Sequence, residues 1–149
     1  MSDNIETKIR KGSAADEQWL FNLFKETMQN FIDGAWGWEE LFQKEGFATS
    51  LPAKNFLILE SENTPIACLH ASKKADHLFL DMILVEPAFQ RQGFGSQLIS
   101  LIMQEAKNAN MPIRLSVIKA NPAVRFHQNL GFEIIEEDEH SYRMQWHGA

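Results

Sequence analysis

The stretch Val85-Glu86-Pro87-Ala88-Phe89-Gln90-Arg91-Gln92-Gly93-Phe94-Gly95-Ser96 joins an apolar run to an amphipathic one, and its reading decides the fold. Before it, residues 77–85 are apolar and long enough for a central strand. Pro87 stops that strand, because proline has no N–H to give to a ladder. After it, Leu98, Ile99, Ile102, Met103 and Ala106 fall at helical spacing across residues 96–108. The first turn of a helix carries unpaired N–H groups and the positive end of the dipole. Such amides hold a diphosphate when the backbone can come close. Glycine at 93 and 95 permits that approach, since no Cβ intrudes. On spacing alone, a plain strand–helix loop with turn glycines fits as well.

Working outward, the chain reads β-α-α-β-β-β-α-β-α-β-β. Residues 5–10 form a short strand, and Ser13-Ala14-Ala15-Asp16 resembles a capping box. Leu20, Leu23, Phe24, Thr27, Met28 and Phe31 form one helical stripe. Gly34 is expected to interrupt it, and residues 36–47 to form a second helix ended near Gly46. Strands over 55–60 and 66–72 flank a turn through Glu62-Asn63-Thr64-Pro65. A strand over 113–118 follows Pro112. Asn121-Pro122 then opens a short helix closed by Gly131, because Asn suits the N-cap and Pro the first turn. Two strands, 133–136 and 141–146, end the chain.

The chain has 149 residues, the length of one ordinary domain, and no linker or repeat divides 1–149. Its net charge of −6 and scattered basic residues argue against nucleic acid as a partner. An acidic surface instead attracts cationic substrates, weakly at cellular salt. Glu136-Glu137-Asp138-Glu139 reads as a solvated turn. No apolar run reaches the length of a membrane span. The first twenty residues lack the apolar core of a signal peptide. The single cysteine, Cys68, fits a reducing compartment, so a cytoplasmic location is expected. No His/Cys/Asp grouping has metal-site spacing, so no metal is expected.

The 85–96 stretch resembles motif A of the GNAT superfamily of acyl-CoA-dependent N-acyltransferases, Gln/Arg-x-x-Gly-x-Gly/Ala. It differs from a dinucleotide fingerprint, which reads Gly-x-Gly-x-x-Gly. About 30 residues on, Asn121-Pro122-Ala123-Val124-Arg125-Phe126-His127-Gln128-Asn129-Leu130-Gly131-Phe132 is similar to motif B. Ile9-Arg10-Lys11-Gly12 with Asp16 resembles the usual opening of that superfamily. The Trp36-Gly37-Trp38-Glu39 segment resembles a bacterial subgroup of it.

The resemblance implies a single α/β domain. Its sheet would be mixed, mostly antiparallel and splayed, with about seven strands and about four helices. It implies acetyl-CoA as cosubstrate, a primary amine as acceptor and direct attack of one on the other. The pantetheine arm would pair with backbone groups of Ile83, Leu84 and Val85, and an amide near Leu84 or Val85 would stabilise the oxyanion. The amides of Arg91, Gln92, Gly93, Phe94, Gly95 and Ser96 would hold the pyrophosphate. Asn121 matches the asparagine that contacts pantetheine, and it also suits a simple N-cap. His127 stands where the superfamily commonly has a tyrosine that protonates the leaving thiolate, and an imidazole of ordinary pKa near 6.5 can give the same proton.

Asp81 lies inside an otherwise apolar strand, by period-two counting on the face of Ile83 and Val85. A carboxylate there is a candidate base or substrate ligand, and a β-bulge would change its face. Trp36, Trp38 and Glu39 are candidate acceptor-binding residues, an aromatic wall with carboxylates suited to an ammonium. The alternative is packing of both tryptophans on the core. A CoA-binding regulatory module without turnover is the rival function. A homodimer is a further expectation left open by the sequence.

Overall fold

The computed structural model describes residues 6–148. In chain order the elements are β1 (Thr7–Lys11), α1 (Glu17–Trp36), α2 (Glu40–Ser50), β2 (Phe56–Ser61), β3 (Thr64–Lys73), β4 (Leu78–Val85), α3 (Phe94–Ala109), β5 (Ile113–Ile118), α4 (Ala123–Asn129), β6 (Glu133–Glu137) and β7 (Ser141–Trp146). The order of strands and helices is the one read from the sequence. Ile5, placed in the first strand by that reading, lies outside the described residues.

The seven strands form one sheet in the order β1-β2-β3-β4-β5-β7-β6. Every pairing is antiparallel except β4 with β5. That parallel pair is short: it joins Leu78 to Ile113, Phe79 to Arg114 and Leu80 to Leu115, and goes no further. Beyond Leu80 the two central strands part, and the sheet splays.

Each face of the sheet has its own core. On one face Leu98, Ile99, Ile102 and Ala106 of α3 bury against Leu78, Leu80, Ile113 and Leu115. On the other, Leu20, Leu23 and Phe24 of α1 and Phe47 of α2 bury against Phe56, Ile58, Cys68 and Leu84. The alternation of these strand residues between faces is the period of two that a strand imposes. Trp19 of α1 donates from Nε1 to a carboxylate oxygen of Glu86 at 3.0 Å, tying α1 to the end of β4.

The sequence reading misplaced the break between the first two helices. α1 passes through Gly34, where an added Cβ would meet nothing, and continues to Trp36. The chain turns instead at Gly37, whose φ of 87° lies where side chains are disfavoured. The Gly37 amide closes the helix on the Asp33 carbonyl at 3.0 Å. α2 likewise passes through Gly46 and ends at Ser50. A single glycine costs a helix only about 1 kcal/mol against alanine, less than the apolar faces of α1 and α2 recover. Near Ser13 the expected capping contact is present: Asp16 accepts from the Ser13 amide at 2.8 Å. Asp16 also takes a bidentate pair from Arg10, which holds its carboxyl down at about 2.

Candidate functional site

The loop after β4 forms a short 3-10 turn, Pro87–Phe89, and then two left-handed residues, Arg91 and Gly93. Two glutamines brace it. Gln90 donates from Nε2 to the Val85 carbonyl at 3.0 Å, and Gln92 donates to the Ala88 carbonyl at 3.2 Å. α3 begins at Phe94, two residues before the sequence reading placed it. Its first internal bond runs from the Gln97 amide to the Gly93 carbonyl. The amides of Phe94, Gly95 and Ser96 therefore have no partner within the helix. The two glycines act differently. At Gly93 a Cβ would meet nothing, and the φ of 88° is what requires glycine. At Gly95 a Cβ would stand 3.3 Å from the Phe126 ring, which would have to give way, and in ordinary contact with Val85 at 3.6 Å.

These amides head a cleft of about 700 Å³ that runs along the open edge of β4. Ile83, Leu84 and Val85 form one wall, Asn121 and Phe126 another, and Met28 and Phe31 of α1 the rim. The Glu86 amide donates to Ile66 of β3 at 2.8 Å. Amides alternate along a strand, so Leu84 also points to β3 while Ile83 and Val85 point into the splay. The expectation that Leu84 offers its amide there is thus corrected: pairing with β3 uses it. Asn121 lines the same cleft, and its Oδ1 accepts from the Ala123 amide at 2.9 Å, a cap for α4.

A second cavity, of about 230 Å³, opens from the splay toward α1. Phe24, Met28, Ile32 and Trp36 line it from α1, and Asp81, Met82 and Ser116 from the strands. His127 and Asn121 lie on the boundary with α4.

Asp81 occupies a β-bulge. Met82 pairs with His70 and Leu80 with Ala71, which leaves Asp81 as the extra residue. The bulge puts its side chain on the face of Met82 and Leu84, away from Ile83 and Val85, so the face read by period-two counting is wrong. Its Oδ2 accepts from His70 Nδ1 at 2.9 Å and from Ser72 Oγ at 2.6 Å. Burial pushes the Asp81 carboxyl up, but these two bonds outweigh it and hold it below the usual carboxylate value.

His127 is 4% exposed. Its ring lies 5.3 Å from that of Phe126 and 5.6 Å from that of Phe132. Nδ1 is buried without a partner. Burial in this apolar setting lowers its pKa to about 4. The expected imidazolium near neutral pH is therefore corrected: His127 is a neutral side chain there, beside the cavity.

Of the three candidate acceptor residues, Trp36 lines the second cavity. It is 60% exposed and meets the His140 ring at 5.5 Å. Trp38 turns inward, with its ring 5.8 Å from Phe24 and 6.5 Å from Phe21. Its Nε1 donates to Glu40 at 2.8 Å. Glu39 accepts from the Phe42 amide at 2.9 Å and so caps α2. Neither Trp38 nor Glu39 lines the cavity. The sequence reading missed Ile32 and Ser116 as lining residues. A signal for the first existed: Phe24, Met28, Ile32 and Trp36 stand four apart, one above another on α1.

Cys68 is buried, and burial pushes its thiol up, so it offers no nucleophile. Among the described residues no group of three or more His, Cys, Asp or Glu could hold a metal ion, and no helix is long and apolar enough to cross a membrane.

A model of the acetyltransferase (GNAT) family matches residues 18–132, which include the bulge, the glycine loop and α4. By structure the chain is similar to the PaiA N-acetyltransferase of Thermoplasma acidophilum, solved in complex with coenzyme A. The TM-score is 0.79 at 17% identity, over 97% of this chain and 100% of that one. It is also similar to Ard1 of Thermoplasma volcanium, with TM-score 0.73 and 19% identity over 96% of this chain and 98% of that one. A third likeness is to the ribosomal-protein-S18-alanine N-acetyltransferase of Escherichia coli, with TM-score 0.73 and 18% identity over 95% and 94%. Comparison with curated protein sequences gave no match.

Proposed function

The chain belongs to the GNAT acetyltransferase family, and on that premise we propose that it moves the acetyl group of acetyl-CoA onto a primary amine by direct attack. The observation that carries this reading is the coincidence of three features along one cleft. They are the unpaired first-turn amides of α3, the left-handed turn that Gly93 permits just before them, and the free strand edge where β4 leaves β5.

The residues present fit coenzyme A. Phe94, Gly95 and Ser96 would donate to the pyrophosphate, with Arg91, Gln92 and Gly93 shaping the approach to it. Ile83 and Val85 would pair with the amides of the pantetheine arm. Val85, whose own carbonyl already accepts from Gln90, would offer the arm its amide alone. Asn121 would contact the arm from the opposite wall while capping α4.

An alkyl ammonium must shed a proton before it can attack. The amine nitrogen then bonds to the acetyl carbon, the carbon–sulfur bond breaks, and its electron pair leaves on sulfur, which takes a proton. Asp81 is ionised at neutral pH and suits holding an ammonium better than deprotonating one.

Acetyl-CoA at 100 times Kd should stabilise the fold by about 2.7 kcal/mol. For a chain of this size that is a Tm rise of roughly 5–10 °C. Thiol release should accompany the consumption of an amine. No shift at millimolar acetyl-CoA would end this reading.

A further inference from the structure

The second cavity has a composition that selects among amines. Its α1 wall is one unbroken apolar stripe: Phe24, Met28, Ile32 and Trp36, each four residues after the last. Met82 and Leu84 face it from β4. The stripe ends at Trp36, which is exposed at the mouth and leans on His140. The stripe passes from buried Phe24 through half-buried Met28 and Ile32 to exposed Trp36, so it leaves apolar surface that an acceptor can cover.

The carboxylates around it are mostly committed. Among the described residues Asp81 is the only one that lines the cavity, and His70 and Ser72 hold its Oδ2 while Oδ1 has no partner among them. Glu39 caps α2, and Glu40 takes Trp38 Nε1 and Lys25 Nζ. On the β6–β7 hairpin Asp138 accepts the His140 and Ser141 amides. Glu136 pairs with Arg143, and Glu137 with Lys119. One cationic group can be matched inside, at Asp81 Oδ1. A second or third ammonium on the same acceptor would sit against Met28, Ile32 or Trp36 without a counter-charge, which is costly.

We infer that the acceptor is a primary amine borne on a bulky apolar substituent, singly charged, with the substituent lying along the Phe24–Met28–Ile32–Trp36 stripe. This rests on the reading of the chain as an amine acetyltransferase and narrows it. The acceptor binds as an ammonium and passes one proton to solvent. Its nitrogen takes the acetyl carbon as the carbon–sulfur bond opens, and the electron pair leaves on sulfur. The second proton, shed by the acylated nitrogen, is balanced by the one the thiolate takes. The same chemistry is offered by a free arylalkyl amine and by a peptide whose first residue is bulky and apolar.

The test is acetyl transfer with the purified protein, read as kcat/KM, beside acetyl-CoA affinity measured separately. Phenethylamine and a short peptide beginning with phenylalanine form the apolar arms. Putrescine and spermidine form the polycation arm. Either apolar acceptor should exceed both polyamines by about tenfold or more, the scale on which apolar pockets discriminate. The better of the two identifies the source. Ile32→Asp should erase or reverse the preference with acetyl-CoA affinity within twofold of the parent. Trp36→Ala, at a largely exposed position, should lower kcat/KM for the apolar acceptors by about tenfold and leave the polyamines unmoved, even if Ile32→Asp does not fold. Equal or better turnover of polyamines by a protein that binds acetyl-CoA overturns the inference alone, as does binding without turnover of any arm. Failure to bind acetyl-CoA overturns the acetyltransferase reading itself.

Discussion

The two sides of the splay are built from different material. In the cleft along β4 and the head of α3 the polar groups on offer are chiefly backbone: amides of Ile83, Val85 and Phe94 to Ser96, between walls that include Phe126 and Asn121, with glycine at the two positions where a Cβ would strain or crowd the chain. The cavity toward α1 is made of side chains, most of them apolar. A backbone site serves a group that is the same in every turnover, whereas a side-chain site can be altered without disturbing the first. Substitutions on the two sides should therefore separate cleanly, one set acting on acetyl-CoA and the other on the acceptor.

The largest effect should come from Gly93→Val. A β-branched residue is a steric misfit at a φ of 88°. The loop must leave its conformation, and the first-turn amides of α3 lose their common aim. Acetyl-CoA should then give no Tm rise at concentrations that saturate the parent, while the protein without ligand stays folded, because Gly93 is exposed and a Cβ there meets nothing. A normal Tm rise in this variant would show that the loop does not bind the pyrophosphate.

The paired tryptophans sharpen the contrast within one short segment. Trp36 lines the cavity and should act on the acceptor, as argued above. Trp38 packs on Phe21 and Phe24 and should act on stability. Trp38→Ala should cost about 2 kcal/mol, below the range for a fully buried aromatic since Trp38 is half-buried. That is a loss of roughly 4–8 °C in Tm. The acceptor KM should stay within about twofold of the parent. Thermal melts beside acceptor titrations on both variants decide the matter, and an acceptor defect in Trp38→Ala larger than in Trp36→Ala would invert the assignment.

What the sequence disclosed follows the same division. Glycines at 93 and 95, the proline that ends β4 and the Asn-Pro that opens α4 are local backbone signals, and they marked the loop and the element boundaries, while the splayed sheet was implied by the resemblance to the GNAT superfamily. The side-chain features needed facts that spacing does not hold. Asp81 changed face because one extra residue enters β4 opposite the His70–Ala71 step, and nothing in an apolar run marks a bulge. Trp36 and Trp38 parted because α1 runs two residues past Gly34 and stops at Gly37, a glycine that does turn the chain. Glu39 looked like a ligand and is a cap, a use that depends on where α2 begins.

His127 provides the smallest expected effect and the most direct comparison of motif with structure. Its position in the Asn121–Phe132 stretch suggests a proton donor to the leaving thiolate. Its surroundings, between Phe126 and Phe132 with Nδ1 unpartnered, hold it neutral above about pH 4. A neutral imidazole N–H is far too weak an acid to protonate a thiolate whose own pKa is near 8.5. His127→Phe should therefore turn over within about threefold of the parent at pH 7.5, a barrier change of roughly 0.65 kcal/mol. A loss of about 10²-fold or more, the low end for general acid–base catalysis, would restore the donor role. Stability gives an independent measure on the same variant. Between an unfolded pKa of 6.5 and the folded value of about 4, the unfolded chain binds a proton that the folded chain refuses. The parent should therefore lose stability as pH falls through that window, by about 3 kcal/mol at its lower end, and show no contribution from His127 above it. Phenylalanine removes both the titration and the unpartnered ring nitrogen. Its unfolding free energy should match or exceed that of the parent at pH 7 and fall less steeply between pH 6.5 and 4. Identical acid slopes in the two proteins would mean that the ring is solvated and protonated like an ordinary histidine. The proton donor would then be back on α4.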